Sequence, residues 1–224
     1  MKPLGIFGGT FDPIHVGHLR TAFELLQALR LGGVRFVPTG TPPHRERPVA
    51  DAQLRLRMVR AAVADQPGFA VDDREVRREG VSYSVDTLSE LRREEPDRPL
   101  CLLLGMDAFL GLPHWHRWRE LLDLAHVIVA HRPGWNVPLT GPLGELMAER
   151  VTDTIGVLHE RLAGCIHVHA VTQLEISSTE LRQSISAGLD PRYLTPDAVR
   201  DVLRDSGCYA GHDAERVRRG TSAR

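Results

Sequence analysis

The chain has 224 residues, 42% of them hydrophobic and 25% charged, and a formal net charge of −1; it reads as one soluble globular domain, with no bulk charge to attract nucleic acid or an anionic membrane. No apolar stretch approaches the length of a membrane span, and Met1-Lys2-Pro3 runs straight into an apolar segment, so neither an anchor nor a signal peptide is expected. Cys101, Cys165 and Cys208 are few, odd in number and far apart, which suits a reduced, cytoplasmic protein; self-association into a homo-oligomer is left open.

The first predicted strand is Leu4-Gly5-Ile6-Phe7. It leads through Gly8-Gly9-Thr10-Phe11-Asp12-Pro13-Ile14-His15-Val16-Gly17-His18 into a segment whose apolar positions Ala22, Phe23, Leu25, Leu26 and Leu29 recur at helical spacing. Glycines allow close backbone approach, and a helix starting near Gly17 aims free N–H groups at an anion, so a phosphate is the natural guest. His15 and His18 share a face if the helix includes both, and both imidazoles could donate to phosphate oxygens. Neither a G-x-x-x-x-G-K-[ST] loop nor a G-x-G-x-x-G fingerprint is present. Zinc ligation by the two histidines lacks a Cys or acidic partner at suitable spacing, and the plain alternative is a glycine turn carrying two surface histidines.

Gly32-Gly33 ends the helix and Val34 to Val37 forms a second strand, completing a right-handed parallel unit that collects ligands at the strand carboxyl ends. The stiff loop Pro38-Thr39-Gly40-Thr41-Pro42-Pro43-His44-Arg45 follows there, as a substrate wall or a solvated turn. Asp51 is the expected N-cap of a helix over 52–65 that buries Leu54, Met58, Val59, Ala62 and Val63; Arg55, Arg57 and Arg60 are read as solvated. Phe69 to Val71 is a short strand, and the charged stretch 72–80 a surface excursion. Val81-Ser82-Tyr83-Ser84-Val85-Asp86-Thr87-Leu88 opens a helix with hydroxyls at its start, Ser84 being a possible cap.

Pro99 to Leu104 is continuously apolar, as in a central strand covered on both faces, and Gly105-Met106-Asp107 stands at its carboxyl end. There the Asp107 carboxylate could cap a helix, accept from ribose hydroxyls or sit near a metal. In Leu112-Pro113-His114-Trp115-His116-Arg117-Trp118 the aromatic neighbours suit a stacking wall better than a metal site, with Trp118 in the core. After a short helix ending at Leu124 come a strand from His126 to Ala130, a peripheral segment 136–164 with helical periodicity, and a last strand from Ile166 to Val171, on which His167 and His169 share a face. Ile176-Ser177-Ser178-Thr179-Glu180-Leu181-Arg182 has capping-box spacing, yet its hydroxyls, N–H groups and Arg182 also describe a second anion site. Thr195-Pro196-Asp197 starts a final helix with Pro at its first position, and 211–224 is an expected disordered tail behind a domain spanning 1–210.

These two motifs carry a resemblance. G-G-T-F-D-P-I-H-V-G-H-L and I-S-S-T-E-L-R resemble the signatures of the H-x-G-H nucleotidyltransferases, and from about Leu4 to about Tyr209 the chain is similar to the bacterial nicotinate-nucleotide adenylyltransferase family. The resemblance implies an α/β, Rossmann-like, doubly wound and mainly parallel sheet in a single domain. It implies adenylyl transfer from ATP to nicotinate mononucleotide, with release of pyrophosphate, in NAD biosynthesis. By the same resemblance His15, His18 and Arg182 are catalytic. Gly8, Gly9, Thr10, Phe11, Gly17, Gly105, Asp107, Ile176, Ser177, Ser178 and Thr179 contact ATP. His44, Arg45, Tyr83, Ser84, Thr87, Trp115 and His116 contact the mononucleotide, Trp115 by stacking on its ring. His131-Arg132-Pro133-Gly134 plays a supporting part. Mg²⁺ is expected to arrive with ATP rather than on protein ligands. Two other readings stay open on sequence: an adenylyltransferase for another acceptor, such as nicotinamide mononucleotide or phosphopantetheine, and a non-catalytic nucleotide-sensing module.

Overall fold

In the computed structural model, residues 1–42, 47–131, 140–172 and 174–211 are described. Six strands form one sheet in the order β3-β2-β1-β4-β5-β6, every pairing parallel. They are β1 (Leu4–Gly9), β2 (Gly33–Pro38), β3 (Phe69–Val71), β4 (Leu100–Gly105), β5 (His126–His131) and β6 (Ile166–Ala170). The helices in chain order are α1 (Val16–Ala28), α2 (Ala52–Val63), α3 (Arg74–Arg77), α4 (Ser84–Glu94), α5 (Met106–Leu110), α6 (Leu121–Leu124), α7 (Gly141–Arg150), α8 (Ile155–Glu160), α9 (Ser178–Ser186) and α10 (Asp197–Ser206).

A parallel sheet must be covered on both faces, which is why its central strands β1 and β4 are apolar throughout rather than alternately. On one face Phe7, Phe36, Leu103 and Ile128 pack with Leu25 of α1, Met58 of α2 and Val199 of α10. On the other, Ile6, Leu102, Leu104 and Val129 pack with Leu88 of α4, Phe109 of α5 and Leu121 of α6. Each such fully buried side chain contributes roughly 1.5–3 kcal/mol relative to exposure.

The sheet reverses its order between β1 and β4. Pairing there stops at Ile6 opposite Leu102, whereas β1 stays paired with β2 as far as Gly9 and β4 with β5 as far as Gly105. The two central strands therefore part at their carboxyl ends, and a crevice opens at the switch point of the topology.

Three expectations need correcting. Residues 72–80 are no surface excursion: α3 forms there, Glu75 is 7% exposed and the Arg74 side chain is 10% exposed, because Arg74 is held by Asp72 and Glu94. The segment 136–164 is not merely peripheral, since Leu143 and Met147 of α7 join the core and Val151 bridges to Ile166. Arg55 is not solvated but 1% exposed. At smaller scale, Pro196 is the cap of α10 rather than its first residue, and Tyr83, not Ser84, caps α4. Residues 43–46, 132–139 and 212–224 lie outside the described residues, and with them His44, Arg45, Arg132, Pro133, Gly134 and nearly all of the expected tail. Among the described residues no helix is long and apolar enough to cross a membrane.

Candidate active site

The glycine turn is shaped by what packs against it. A Cβ on Gly9 would lie 2.9 Å from the ring of Phe11, and Phe11 itself is buried in the left-handed region at φ 49°. His15 is the N-cap of α1 rather than its first residue. Consequently the two histidines do not stand side by side on a helix face; their rings stack, with centroids 3.7 Å apart and planes 27° apart. Gly17 makes this stack fit, because a Cβ there would come within 3.0 Å of His15 Nδ1.

The backbone N–H of His15 donates to Nδ1 of His18 at 3.3 Å. Accepting there leaves the proton of a neutral His18 on Nε2, so this ring offers an N–H donor without carrying charge. Phe7 and Phe11 meet the His18 ring edge-on and fix its plane. Burial holds the His15 imidazole down at about 4; burial and then the neighbouring His15 hold His18 well below its ordinary value. His15 Nδ1 is buried without a hydrogen-bond partner among the described residues.

The late motif docks onto this turn. Ser178 Oγ donates to the carbonyl of Pro13 at 3.0 Å, and Arg182 Nη1 donates to the carbonyl of Asp12 at 2.7 Å. Arg182 Nη2 also reaches Thr179 Oγ1 at 3.2 Å. Ser177 spends its hydroxyl oxygen on the N–H groups of Thr179 and Glu180, as a helix cap. Ile176 precedes it, half-buried. Asp12 is the centre of the assembly: its carboxylate accepts from the N–H groups of Val49 and Ala50 at 2.9 and 3.0 Å and from the Tyr209 hydroxyl at 2.6 Å. The carbonyl of Leu194 accepts the first N–H of α1, from Val16, at 2.9 Å.

Beside this assembly, the crevice between β1 and β4 is a cavity of about 240 Å³. Gly8, Gly9 and Thr10 of the glycine turn line it, with Gly105 on the strand opposite; Tyr83, Ser84, Trp115 and His116 line it too, together with Glu75 and Ser82. Tyr83 and His116 pack ring to ring at 4.4 Å. Ser82 Oγ is buried beside the Glu75 carboxyl. Burial pushes the Glu75 carboxyl up. Thr87 lies behind the wall rather than in it, donating its hydroxyl to Glu75 at 2.7 Å. Asp107 is exposed in the first turn of α5. His15, His18 and Arg182 do not line the cavity, although the His18 ring meets Phe7, which does.

Sequence reasoning missed Asp12, Arg55, Glu75 and Tyr209. Arg55 carried a usable signal: it lies three and four residues before Met58 and Val59, on the buried stripe of α2. Asp12 and Tyr209 are fixed by each other from opposite ends of the chain, and Glu75 by Thr87 of the next helix, pairings that no local pattern announces.

The sequence pattern of the cytidylyltransferase-like family matches residues 6–184. A probable nicotinate-nucleotide adenylyltransferase of Aeromonas salmonicida (strain A449) is 49% identical over 207 residues, covering 92% of this chain and 97% of the relative. One from Methylococcus capsulatus is 48% identical over 208 residues, covering 92% and 99%. The solved structure of Plasmodium falciparum nicotinic acid mononucleotide adenylyltransferase complexed with NaAD is similar to this one with a TM-score of 0.70. It is 16% identical, over 93% of this chain and 98% of that one, a likeness that establishes the fold.

Proposed function

The chain belongs to the cytidylyltransferase-like family, among its nicotinate-nucleotide adenylyltransferases, and on that premise we propose how its residues divide the work. The reaction joins nicotinate mononucleotide to the adenylyl group of ATP, a cytoplasmic step of NAD biosynthesis. A 5′-phosphate oxygen of the mononucleotide attacks the α-phosphorus of ATP in line; the new P–O bond forms as the bond to the β-phosphate bridging oxygen breaks, and pyrophosphate departs with that electron pair. The nucleophile is already anionic, so no general base is required.

The observation that carries this reading is one cavity lined both by the glycine turn and by the aromatic residues Tyr83, Trp115 and His116. ATP lies along Gly8, Gly9, Thr10 and Phe11, with Gly105 and Asp107 on the adenosine side. His18 donates from Nε2 to the α-phosphate, and His15, Gly17, Arg182 and the segment Ile176–Thr179 surround the phosphates. Such donors act where charge develops, in a site whose geometry is fixed beforehand. Mg²⁺ enters as MgATP, neutralising phosphate charge, with phosphate oxygens and water as its natural ligands.

The pyridinium ring stacks on Trp115 beside Tyr83 and His116. Its carboxylate meets the start of α4, where the N–H groups of Ser84 and Val85 precede the first intrahelical bonds. An amide would bring its own donors against these donors, a mismatch of about 1 to 3 kcal/mol. A preference for nicotinate over nicotinamide mononucleotide of at least about tenfold in kcat/KM follows. Pyrophosphate release with MgATP and each mononucleotide is the test. Equal rates, or a preference for the amide, overturn the acid assignment; no release with any mononucleotide overturns the reading as a whole.

A further inference from the structure

Arg55 is the largest fully buried side chain among the described residues, 1% exposed, and it makes no ion pair among them. Its three nitrogens donate to three backbone carbonyls instead: Nη1 to Thr10 at 2.7 Å, Nη2 to Gly40 at 3.0 Å and Nε to Ala50 at 3.2 Å. A guanidinium out of water without a bonded carboxylate is expensive, and an apolar side chain at this core position of α2 would be less so. What only arginine supplies is a planar fork that holds three separate segments at once.

Two of those segments border the cavity. Thr10 lines it as part of the glycine turn. Gly40 follows Thr39, which lines it too and whose N–H donates to the Gly9 carbonyl, and Gly40 touches the next layer closely: a Cβ there would fall 2.0 Å from the carbonyl oxygen of Glu75 and 3.1 Å from Ser82 Oγ. The Ser82 N–H in turn donates to the carbonyl of Thr41 at 2.9 Å. Ala50 is held on its other side by Asp12. A shift of the turn that grips ATP is thus transmitted to the wall that receives the mononucleotide through this side chain, beside the backbone bond from the Thr39 N–H to the Gly9 carbonyl.

We propose that Arg55 is a positioning residue that couples the two substrate sites, so that occupation of the ATP side tightens binding of the mononucleotide. The inference rests on the two-substrate reading above. Coupling of this kind is reciprocal, and a factor of about 5 to 150 is usual.

Calorimetric titration of nicotinate mononucleotide into the full chain, with and without saturating α,β-methylene ATP, tests it. The wild type is expected to bind the mononucleotide about tenfold more tightly when the analogue is present. Arg55→Lys keeps the charge but not the fork, and its ratio is expected to fall to within about twofold of unity while circular dichroism stays native. A merely structural role would weaken both ligands and leave the ratio as it was; that outcome, or a wild-type ratio of one, overturns the inference. Failure of the wild type to bind any mononucleotide overturns the substrate reading instead. Should Arg55→Lys not fold, the carbonyl ¹³C resonance of Gly40 in the wild type decides. It is expected to move when the analogue alone is added, and an unmoved resonance overturns the coupling.

Discussion

The turn around Asp12 and the aromatic end of the cavity are built on opposite principles. Asp12 and His15 are each 6% exposed, and the turn between them is tied by side-chain or backbone bonds to residues 49–50, 178–182, 194 and 209. Tyr83 and Trp115 are half-buried, His116 is exposed, and the contact joining two of them is a ring face. Where charge must be stabilised during reaction, the donors are fixed beforehand and cost no reorganisation; where an aromatic ring must enter and leave, the walls are apolar and less constrained. Changes in the first region should therefore appear in kcat, and changes in the second in KM for the mononucleotide.

The largest effect is expected from His18→Ala. Loss of a donor aimed at developing charge is worth about 2.7 to 4 kcal/mol, or roughly 100- to 1000-fold in kcat. Turnover at saturating substrates and the melting temperature should be measured together. A folded variant with near-wild-type kcat removes His18 from the proposed chemistry and erases the contrast between the regions.

A second test probes the rigidity of the turn without any substrate. His15 sits near 4, below the ordinary 6.5 of histidine, so the unfolded chain binds its proton more readily than the folded one. The stabilisation is fully present above about pH 6.5 and is lost as the pH falls towards 4. Between pH 7.5 and 4.5 the wild type should lose roughly 2 to 3 kcal/mol more stability than His15→Gln. Denaturant unfolding at a series of pH values reads this directly, and parallel profiles for the two proteins would show that the imidazole is not buried in this way.

The legible and illegible parts of the molecule divide along the same line. Strands β1, β2, β4 and β5 were visible as apolar runs within a residue or two, because a doubly covered parallel strand has no polar side to hide it. The glycine turn and the serine cap of α9 were visible because each needs particular residue types at fixed local spacing. Glu75 and Tyr209 were not, since what makes a polar group burial-worthy is a partner on another element, Thr87 for the one and Asp12 for the other, while the place of Arg55 on the buried stripe of α2 was passed over. Glu75 shows the difficulty: its neighbours Asp72, Asp73 and Arg74 advertise a solvated loop, and only the Thr87 hydroxyl and the close approach of Gly40 explain why it faces the cavity. The placement of His15 and His18 hung on where the helix begins for a related reason, as helix spacing says nothing of a cap residue whose ring folds back on the first turn.

The smallest effect is expected at the aromatic wall, and it sharpens the comparison most. Trp115 lines the cavity beside Tyr83 and His116, and the indole packs partly against the core beneath it. A cationic pyridinium over an indole face is worth roughly 0.5 to 2 kcal/mol. The interaction is made equally in the bound substrate and in the transition state, because the ring is remote from the phosphorus under attack; binding of that kind lowers KM and leaves kcat alone. Trp115→Ala should therefore raise KM for nicotinate mononucleotide by about 2- to 30-fold, and Trp115→Phe by less, with KM for ATP and kcat nearly unchanged in both. Neither variant should alter the ratio between acid and amide, since stacking does not distinguish the substituent. Steady-state kinetics with each substrate varied in turn decides the matter. A fall in kcat matching that of His18→Ala would mean that the wall takes part in aligning the reacting phosphate, and that the two regions act as one.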